Sequence, residues 1–190
     1  MKDKKNEMST YVYENPIDLL FYHIIHYTSD TIYSLNIKPN MITTLSLLCG
    51  LISAYCLYHR ILFISFIFWI ISYYLDLLDG YIARKYNQGS VFGGWYDHIS
   101  DIIKIFALLY VFYLHKKYCI FILVLASLLL SFINVSCKTK YLGRDKNPND
   151  SLYIFQKYCY NKQYAKYTKY IGEGTLAILI PIIVYILYIL

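Results

Sequence analysis

Long apolar runs recur along this chain, and they restrict its fold more than any other feature. Residues 41–58 and 118–137 contain no charged side chain, and further apolar runs begin at Ile61, end at Leu114 and cover 171–190. A helix that crosses a bilayer needs about 20 mainly apolar residues, and only helices or closed barrels satisfy backbone hydrogen bonds in lipid. We therefore predict an all-α, polytopic transmembrane helix bundle with five spans, or six as the alternative.

The segment before the first span differs, because its apolar residues are spaced rather than continuous. Asn15 can cap a helix with Pro16 at its first position, and from Ile17 onward the apolar residues follow a helical period. This pattern predicts an amphipathic helix that lies in the membrane interface. We expect residues 1–38 to form a cytosolic N-terminus and this helix, and residues 39–190 to form the transmembrane domain.

The distribution of Lys and Arg predicts the orientation. Most of these residues fall in the N-terminal segment, in the turn 84–90 and in the loop 138–170, whereas the opposite side has Arg60, Lys116 and Lys117. The basic side should face the cytosol, from the endoplasmic reticulum or another host membrane if the source is eukaryotic. The basic loop could bind anionic headgroups or simply be solvated.

The chain has five cysteines, none in a C-x-x-C spacing. Isolated cysteines in apolar segments are more typical of small packing residues than of zinc or redox sites. We therefore interpret all five as packing residues: Cys49, Cys56, Cys119, Cys137 and Cys159.

Four aspartates interrupt the otherwise apolar second and third spans. At a rise of about 1.5 Å per residue, antiparallel helices bring all four into one layer just below the cytoplasmic interface. A charge at a helix centre costs about 2.5–3.5 kcal/mol on insertion scales, and Arg84 and Lys104 are too few cations to balance four acids. Pairing with basic residues or water is the alternative to metal binding. Two Mg²⁺ or Mn²⁺ ions would suit oxygen ligands at this density, the expected ligands being Asp76, Asp79, Asp97 and Asp101.

Two glycines lie on the same helix faces as these aspartates. Gly80 follows Asp79 directly, and Gly93 lies one turn before Asp97. Because glycine has no side chain, each position allows close approach of a ligand, or of the neighbouring helix alone.

The full pattern reads D-x-x-D-G-x-x-A-R, then eight residues, then G-x-x-x-D-x-x-x-D, from Asp76 to Asp101. It resembles the signature of the CDP-alcohol phosphatidyltransferase family, with every fixed position present. "PNMIT" at 39–43 and the interfacial helix before it are more weakly similar to the same family.

This resemblance implies an integral membrane enzyme, usually with six spans and often homodimeric. Such an enzyme transfers a phosphatidyl or phospho-alcohol group from a CDP-linked donor to an acceptor hydroxyl and releases CMP. By position, Asp76, Asp79 and Asp97 would hold two divalent ions, and Asp101 would add a ligand and act as the general base. The implied CDP pocket consists of Gly80, Ala83, Arg84 and Gly93.

The identities of donor and acceptor follow less directly. Relatives that use CDP-choline or CDP-ethanolamine with diacylglycerol are generally about twice this length, so the chain favours CDP-diacylglycerol with a small polar alcohol. "KYNQGSVFG" at 85–93 is similar to the turn of eukaryotic phosphatidylinositol synthases and favours inositol. By contrast, "YDHISD" at 96–101 shares its Asp-His step with choline and ethanolamine phosphotransferases.

Two further polar residues have open interpretations. His98 is off the face shared by Asp97 and Asp101, so packing or interfacial solvation is expected for it. Lys104 could contact an acceptor or its phosphate, but it could equally extend to the interface or pair with Asp101.

Two other classes of function are consistent with an apolar, Asp-containing chain. A divalent-cation transporter needs polar residues that continue to the far side of the membrane, whereas residues 61–70 and 105–114 are almost wholly apolar. A catalytically inactive scaffold should have lost an aspartate of the pattern, and none is lost. The expected partners are CDP-diacylglycerol, a small polar alcohol, membrane lipids and a second copy of the chain, with no nucleic acid.

Overall fold

The described part of this computed structural model is all-helical, which confirms the predicted fold class. It covers residues 14–142, 157–159, 167 and 169–189. The N-terminal residues 1–13 and most of the basic loop 138–170, for which cytosolic positions are predicted, lie outside the described residues. The helices are α1 (Pro16–Ser34), α2 (Pro39–Tyr58), α3 (Leu62–Lys85), α4 (Val91–Leu114), α5 (Tyr118–Leu142) and α6 (Glu173–Ile189), with a 3₁₀ turn at Lys169–Ile171.

Three helical segments in the described residues are long and apolar enough to cross a membrane. They are α2, α3 and the Tyr118–Cys137 part of α5, with mean hydropathies of 1.7, 1.6 and 2.5. Helix α4 also has 24 residues but includes the acidic and basic residues of the aspartate pattern, and α6 has only 17 residues. The composition is that of a membrane protein, and the number of crossings stays a prediction.

The connections after α2, α3 and α4 share one local structure, which keeps them short. Arg60, Asn87 and Lys116 adopt left-handed backbone conformations with φ of 59°, 52° and 56°. In each case the N–H of the next residue bonds the carbonyl oxygen five residues earlier, at 2.8–2.9 Å. This is the pattern of a Schellman helix end, which satisfies carbonyl groups that the helix leaves unpaired. Consecutive helices are therefore joined by tight turns.

Within the described residues the chain divides into two compact units. One unit comprises residues 21–124 and 177–189, and it contains the whole aspartate pattern. The other comprises residues 14–20 and the described residues of 125–176.

Buried serines join α2 to α3 in the first unit. Ser46 Oγ donates to Ser72 O at 2.9 Å, and Ser72 Oγ donates back to Ser46 O at 2.8 Å. Two turns away, Ser53 and Ser65 exchange the same pair of bonds at 2.8 and 2.9 Å. Small residues let helix backbones approach closely in a membrane, and interhelical hydrogen bonds add to the packing. The two serine pairs thus fix the register of α2 against α3.

Large apolar side chains face outward from these helices. Phe63 on α3 and Phe106 on α4 are each 66% exposed, and Ile122 on α5 is 65% exposed. In water such exposure would be unfavourable, whereas lipid chains are as apolar as the side chains themselves. This inverted distribution, with hydroxyl groups inside and apolar groups outside, is expected for a bilayer-embedded bundle.

Helix α1 begins as the sequence predicts. Asn15 Oδ1 accepts a hydrogen bond from the Ile17 N–H at 2.9 Å, so Asn15 caps the helix with Pro16 at its first position. Further along, Ile25 is fully buried and packs with Leu78 and Ile82 of α3. Helix α1 therefore has one buried apolar face.

The C-terminal half of α1 is also held to the end of α3 by polar contacts. Lys85 forms an ion pair with Asp30, the Tyr86 hydroxyl donates to the same carboxylate, and the Tyr33 and Tyr86 rings stack at 3.8 Å. The hydrogen bond from Lys85 holds the pKa of the Asp30 carboxyl below its usual value. Since Asp30 is exposed, these contacts orient the helix more than they stabilise it.

The second unit corrects one interpretation from the sequence. Cys137 and Cys159 form a disulfide with a sequence separation of 22 residues, so they are not merely packing residues. The Lys140 ammonium donates to the carbonyl of Cys159 at 2.6 Å. The missing C-x-x-C spacing was an insufficient guide, because a disulfide needs only spatial proximity.

We expect Ser53→Ala to lower the free energy of unfolding by about 0.6 kcal/mol, and by no more than about 1.7, because it removes one interhelical hydrogen bond in a membrane setting. Ser53→Leu should destabilise the protein much more, since its side chain would separate α2 from α3. Unfolding in detergent, followed by circular dichroism, measures both changes. Equal stability of the two variants would show that the close approach at Ser53 is not required.

Candidate active site

The acids of the candidate site come from two helices. Asp76 and Asp79 lie on α3, and the start of α4 sets the positions of Asp97 and Asp101. Ser90 caps α4, since its Oγ accepts a hydrogen bond from the Gly93 N–H at 2.9 Å. This cap sets where the helix begins, and Asp97 and Asp101 follow one and two turns after Gly93 on the same face. A local capping bond therefore determines where the α4 carboxylates lie.

Asp79 is the deepest of the α3 acids. It is 5% exposed, and its Oδ2 accepts a hydrogen bond of 2.6 Å from the Thr43 hydroxyl on α2. A buried carboxylate requires such a partner, because removal from water without hydrogen bonds is strongly unfavourable. Thr43 lies in the "PNMIT" segment, so the sequence contained a signal for this residue.

Lys104 joins the two halves of the site. Its ammonium lies 2.8 Å from Asp76 Oδ1 and 2.7 Å from Asp101 Oδ1, and it donates to Ser46 Oγ at 3.0 Å. Asp76 and Asp101 therefore approach each other across α3 and α4, as expected from the helical rise per residue. Of the alternatives for Lys104, the structure shows the ion pair with Asp101.

Asp97, His98 and Asp101 form a group that could hold a metal ion. One ligand atom from each lies within 4.8 Å of the others. Carboxylate oxygens suit Mg²⁺ and Mn²⁺, and an imidazole nitrogen is more compatible with Mn²⁺ than with Mg²⁺. The donor set therefore fits a divalent cation. From the sequence, packing or interfacial solvation is expected for His98, and only its step beside Asp97 indicates a place near the site.

The two glycines permit contacts that a side chain would obstruct. A Cβ at Gly80 would lie 3.1 Å from Arg84 Nη1, and a Cβ at Gly93 would lie 3.0 Å from Asn40 Oδ1 and from Ser90 Oγ. Both distances are shorter than ordinary van der Waals contacts. Gly80 thus leaves room for the Arg84 guanidinium, which is exposed, and Gly93 lets α4 approach the start of α2.

A polar recess of about 250 Å³ opens beside Gly93. The start of α2 and the turn before α4 form its walls, and Ala83 lies half-buried on the neighbouring α3. The lining residues are Lys38, Pro39, Asn40, Gln88 and Ser90.

Comparison with known proteins identifies the family. The family model described as CDP-alcohol phosphatidyltransferase matches residues 36–187. The chain belongs to the CDP-alcohol phosphatidyltransferase family. The match extends well beyond the aspartate pattern, so it confirms the resemblance that the pattern predicts, and members of this family are generally dependent on divalent metals.

Two relatives of this family member are similar over part of their length. A CDP-diacylglycerol–inositol 3-phosphatidyltransferase of Candida albicans is 38% identical over 94 residues, which cover 49% of this chain and 40% of that protein. An archaetidylinositol phosphate synthase of Pyrococcus horikoshii is 35% identical over 71 residues, which cover 37% of this chain and 38% of that protein. The aligned segments thus span less than half of either relative. No solved structure gives a significant match.

Thr43→Val should leave the Asp79 carboxylate without its hydroxyl donor. We expect the free energy of unfolding to fall by about 1–3 kcal/mol, the range for a buried polar group that loses its partner. Thermal unfolding in detergent measures the change. Thr43→Ser keeps the hydroxyl and is the matched control, which should stay near wild-type stability; an equally unstable Thr43→Ser would mean that the methyl group, not the hydrogen bond, matters.

Proposed function

We propose that this protein transfers a phosphatidyl group from CDP-diacylglycerol to a hydroxyl group of inositol and releases CMP. The observation that carries the proposal is the meeting of the α3 and α4 carboxylates. Asp76 and Asp101 lie within 2.8 Å of one shared nitrogen, and ligand atoms of Asp97 and Asp101 lie within 4.8 Å of each other. Membership of the family supports the reaction class.

The carboxylates are suited to hold two divalent ions. We assign Mg²⁺ or Mn²⁺ as the cofactor, because all four acidic groups offer hard oxygen ligands. Bound ions would neutralise charge on the diphosphate and orient it. The ligands assigned on this basis are Asp76, Asp79, Asp97 and Asp101, with His98 as an additional candidate.

Asp101 is the group that we assign as the general base. Its Oδ1 is engaged by Lys104, and its second oxygen is the atom assigned to take the proton of the acceptor hydroxyl. The hydroxyl oxygen then forms a bond to the phosphorus that carries diacylglycerol. The bond from that phosphorus to the oxygen shared with CMP breaks, and CMP leaves with this oxygen.

The CDP moiety is assigned to the polar recess and the residues around it. Gly80 leaves room for the exposed Arg84, which can pair with phosphate, and Gly93 lets α4 approach the start of α2 at the recess. Ala83 is assigned to the same pocket by its place in the family pattern. The recess opens among polar side chains, whereas the remote halves of α3 and α4 are apolar. This arrangement suits a donor with a water-soluble nucleotide and lipid chains that stay in the bilayer.

The comparisons support an acceptor of the inositol type. The name of the Candida albicans relative contains inositol, and that of the Pyrococcus horikoshii relative contains an inositol lipid phosphate. The turn at 85–93, similar to that of eukaryotic phosphatidylinositol synthases, points the same way. We also propose a homodimer with the site facing the cytosol, in the endoplasmic reticulum or another host membrane if the source is eukaryotic.

Purified protein with CDP-diacylglycerol and Mg²⁺ or Mn²⁺ should release CMP when inositol is added. Asp101→Asn should lower kcat by about 10²- to 10⁴-fold, the range for loss of a general base. Glycerol phosphate, inositol phosphate and serine, each supplied instead of inositol, test the acceptor. Activity only with CDP-choline or CDP-ethanolamine and diacylglycerol would contradict the proposed donor. No CMP release with any combination of donor and acceptor would favour the inactive scaffold.

Two features make opposite predictions about the compartment. The basic residues predict that loop 138–170 faces the cytosol, where thiols are kept reduced, whereas the Cys137–Cys159 disulfide is typical of an oxidising side. Labelling of single cysteines in sealed membrane vesicles whose cytosolic face is outward decides between them. We expect Gln88→Cys to react with a membrane-impermeant maleimide directly, and the exposed Cys119 to react only after permeabilisation. The reverse pattern would place the site on the non-cytosolic side.

A further inference from the structure

Lys104 lies where a membrane lysine is rarely found. Long basic side chains near helix ends usually extend to the interface and keep the charge in water. The Lys104 side chain is instead 7% exposed and points into the protein from α4. Such a position requires both space for the aliphatic stem and partners for the ammonium.

Gly50 on α2 supplies the space for the stem. A Cβ at this position would lie 2.6 Å from Lys104 Cγ and 2.7 Å from Lys104 Cδ, distances that real Cβ atoms essentially never show. The same Cβ would lie 3.2 Å from Ser72 Oγ. The Lys104 stem therefore packs directly against Gly50, between the two serine pairs of α2 and α3.

The ammonium group has a complete set of partners. It carries three N–H donors, and the three acceptors are Asp76 Oδ1, Asp101 Oδ1 and Ser46 Oγ, at 2.8, 2.7 and 3.0 Å. Ser46 can accept this bond because its own hydroxyl donates to Ser72 O. A phosphate or acceptor group could bind Lys104 only by displacing one of these partners.

The contacts of the Lys104 ammonium also constrain the carboxylates of Asp76 and Asp101. One oxygen of Asp76 and one oxygen of Asp101 are held by the same nitrogen, which leaves the other oxygen of each for the metal ions and the acceptor. The ammonium also places a permanent positive charge within the acidic layer. It reduces repulsion between the carboxylates before any ion binds.

We propose that Lys104, packed against Gly50, is a positioning residue that orients Asp76 and Asp101 for the reaction. By its charge, Lys104 also weakens the binding of divalent ions to the layer of aspartates. This inference rests on the proposed function for its effect on rate. Its effect on metal binding is measured without substrate, so each can fail separately.

The first test is Lys104→Met, which keeps an unbranched stem and removes the charge. We expect Mn²⁺ to bind about tenfold more tightly in the absence of substrate, as measured by electron paramagnetic resonance, because the repulsion from the ammonium is gone. The same variant should lose about a hundredfold in kcat, the scale for a misplaced catalytic group, with little change in KM for inositol. A purely structural lysine would instead weaken metal binding and lower Tm together.

The second test concerns the contact between Gly50 and the Lys104 stem. Gly50→Ala should reproduce the loss of kcat, because its Cβ displaces the Lys104 stem. In a Lys104→Ala background the same change should have a much smaller further effect, since the Lys104 stem is gone and only Ser72 Oγ, 3.2 Å from the added Cβ, must shift slightly. The Lys104→Ala background is therefore the matched control, because it removes the atoms that a Cβ at Gly50 would meet most closely.

Three results would overturn the inference. Unchanged or weaker Mn²⁺ binding by Lys104→Met would show that its charge does not oppose the ions. A raised KM for inositol at constant kcat would make Lys104 an acceptor contact. Equal losses from Gly50→Ala in both backgrounds would assign Gly50 to helix packing alone. Inactive wild-type protein with tighter Mn²⁺ binding by Lys104→Met would refute the proposed reaction but retain the electrostatic role.

Discussion

Four carboxylates in one layer of a membrane helix pair must be compensated before anything else in this structure can form. The compensation comes from Lys104 of α4 and from helix α2, which carries no charged residue between Pro39 and Tyr58. Thr43 donates to Asp79, and Ser46 completes the partners of Lys104. Hydroxyl groups on an apolar helix thus satisfy Asp79 of α3 and complete the partners of the buried cation of α4, which itself pairs with Asp76. The site depends on three helices, although its acids come from two.

Packing and electrostatics are coupled through the same atoms. The Ser46 hydroxyl donates to the α3 backbone at Ser72 and accepts from Lys104, so one group fixes the helix register and the position of the cation. Gly50, one turn further, lets the Lys104 stem pass between the helices. A slip of α2 by one turn would move these groups by about 5.4 Å. Such a slip would break the hydrogen bonds between Ser46 and Ser72 and remove the space at Gly50 that the Lys104 stem occupies.

The sequence predicts the helical fold, the cap of α1 and the shared layer of aspartates, because each follows from local spacing. Other features depend on residues that are far apart in the chain. The burial of Lys104 depends on Gly50, and the disulfide joins Cys137 to a cysteine in a polar loop. His98 is off the acidic face by sequence spacing, yet its ring has a ligand atom within 4.8 Å of both neighbouring carboxylates. Helical spacing alone predicts the face on which a side chain lies, but not which atoms the end of that side chain approaches.

The position of the acidic layer also distinguishes an enzyme from a transport pathway. Beyond this layer, Ser53 and Ser65 close α2 onto α3, and a small apolar void of about 30 Å³ is lined by residues such as Trp69 and Phe112. An ion pathway needs polar groups along its whole length, whereas residues 61–70 and 105–114, the far halves of α3 and α4, are almost wholly apolar. This distribution agrees with the proposed reaction at one side of the membrane. A substrate with a polar head and apolar chains meets both halves of such a structure at once.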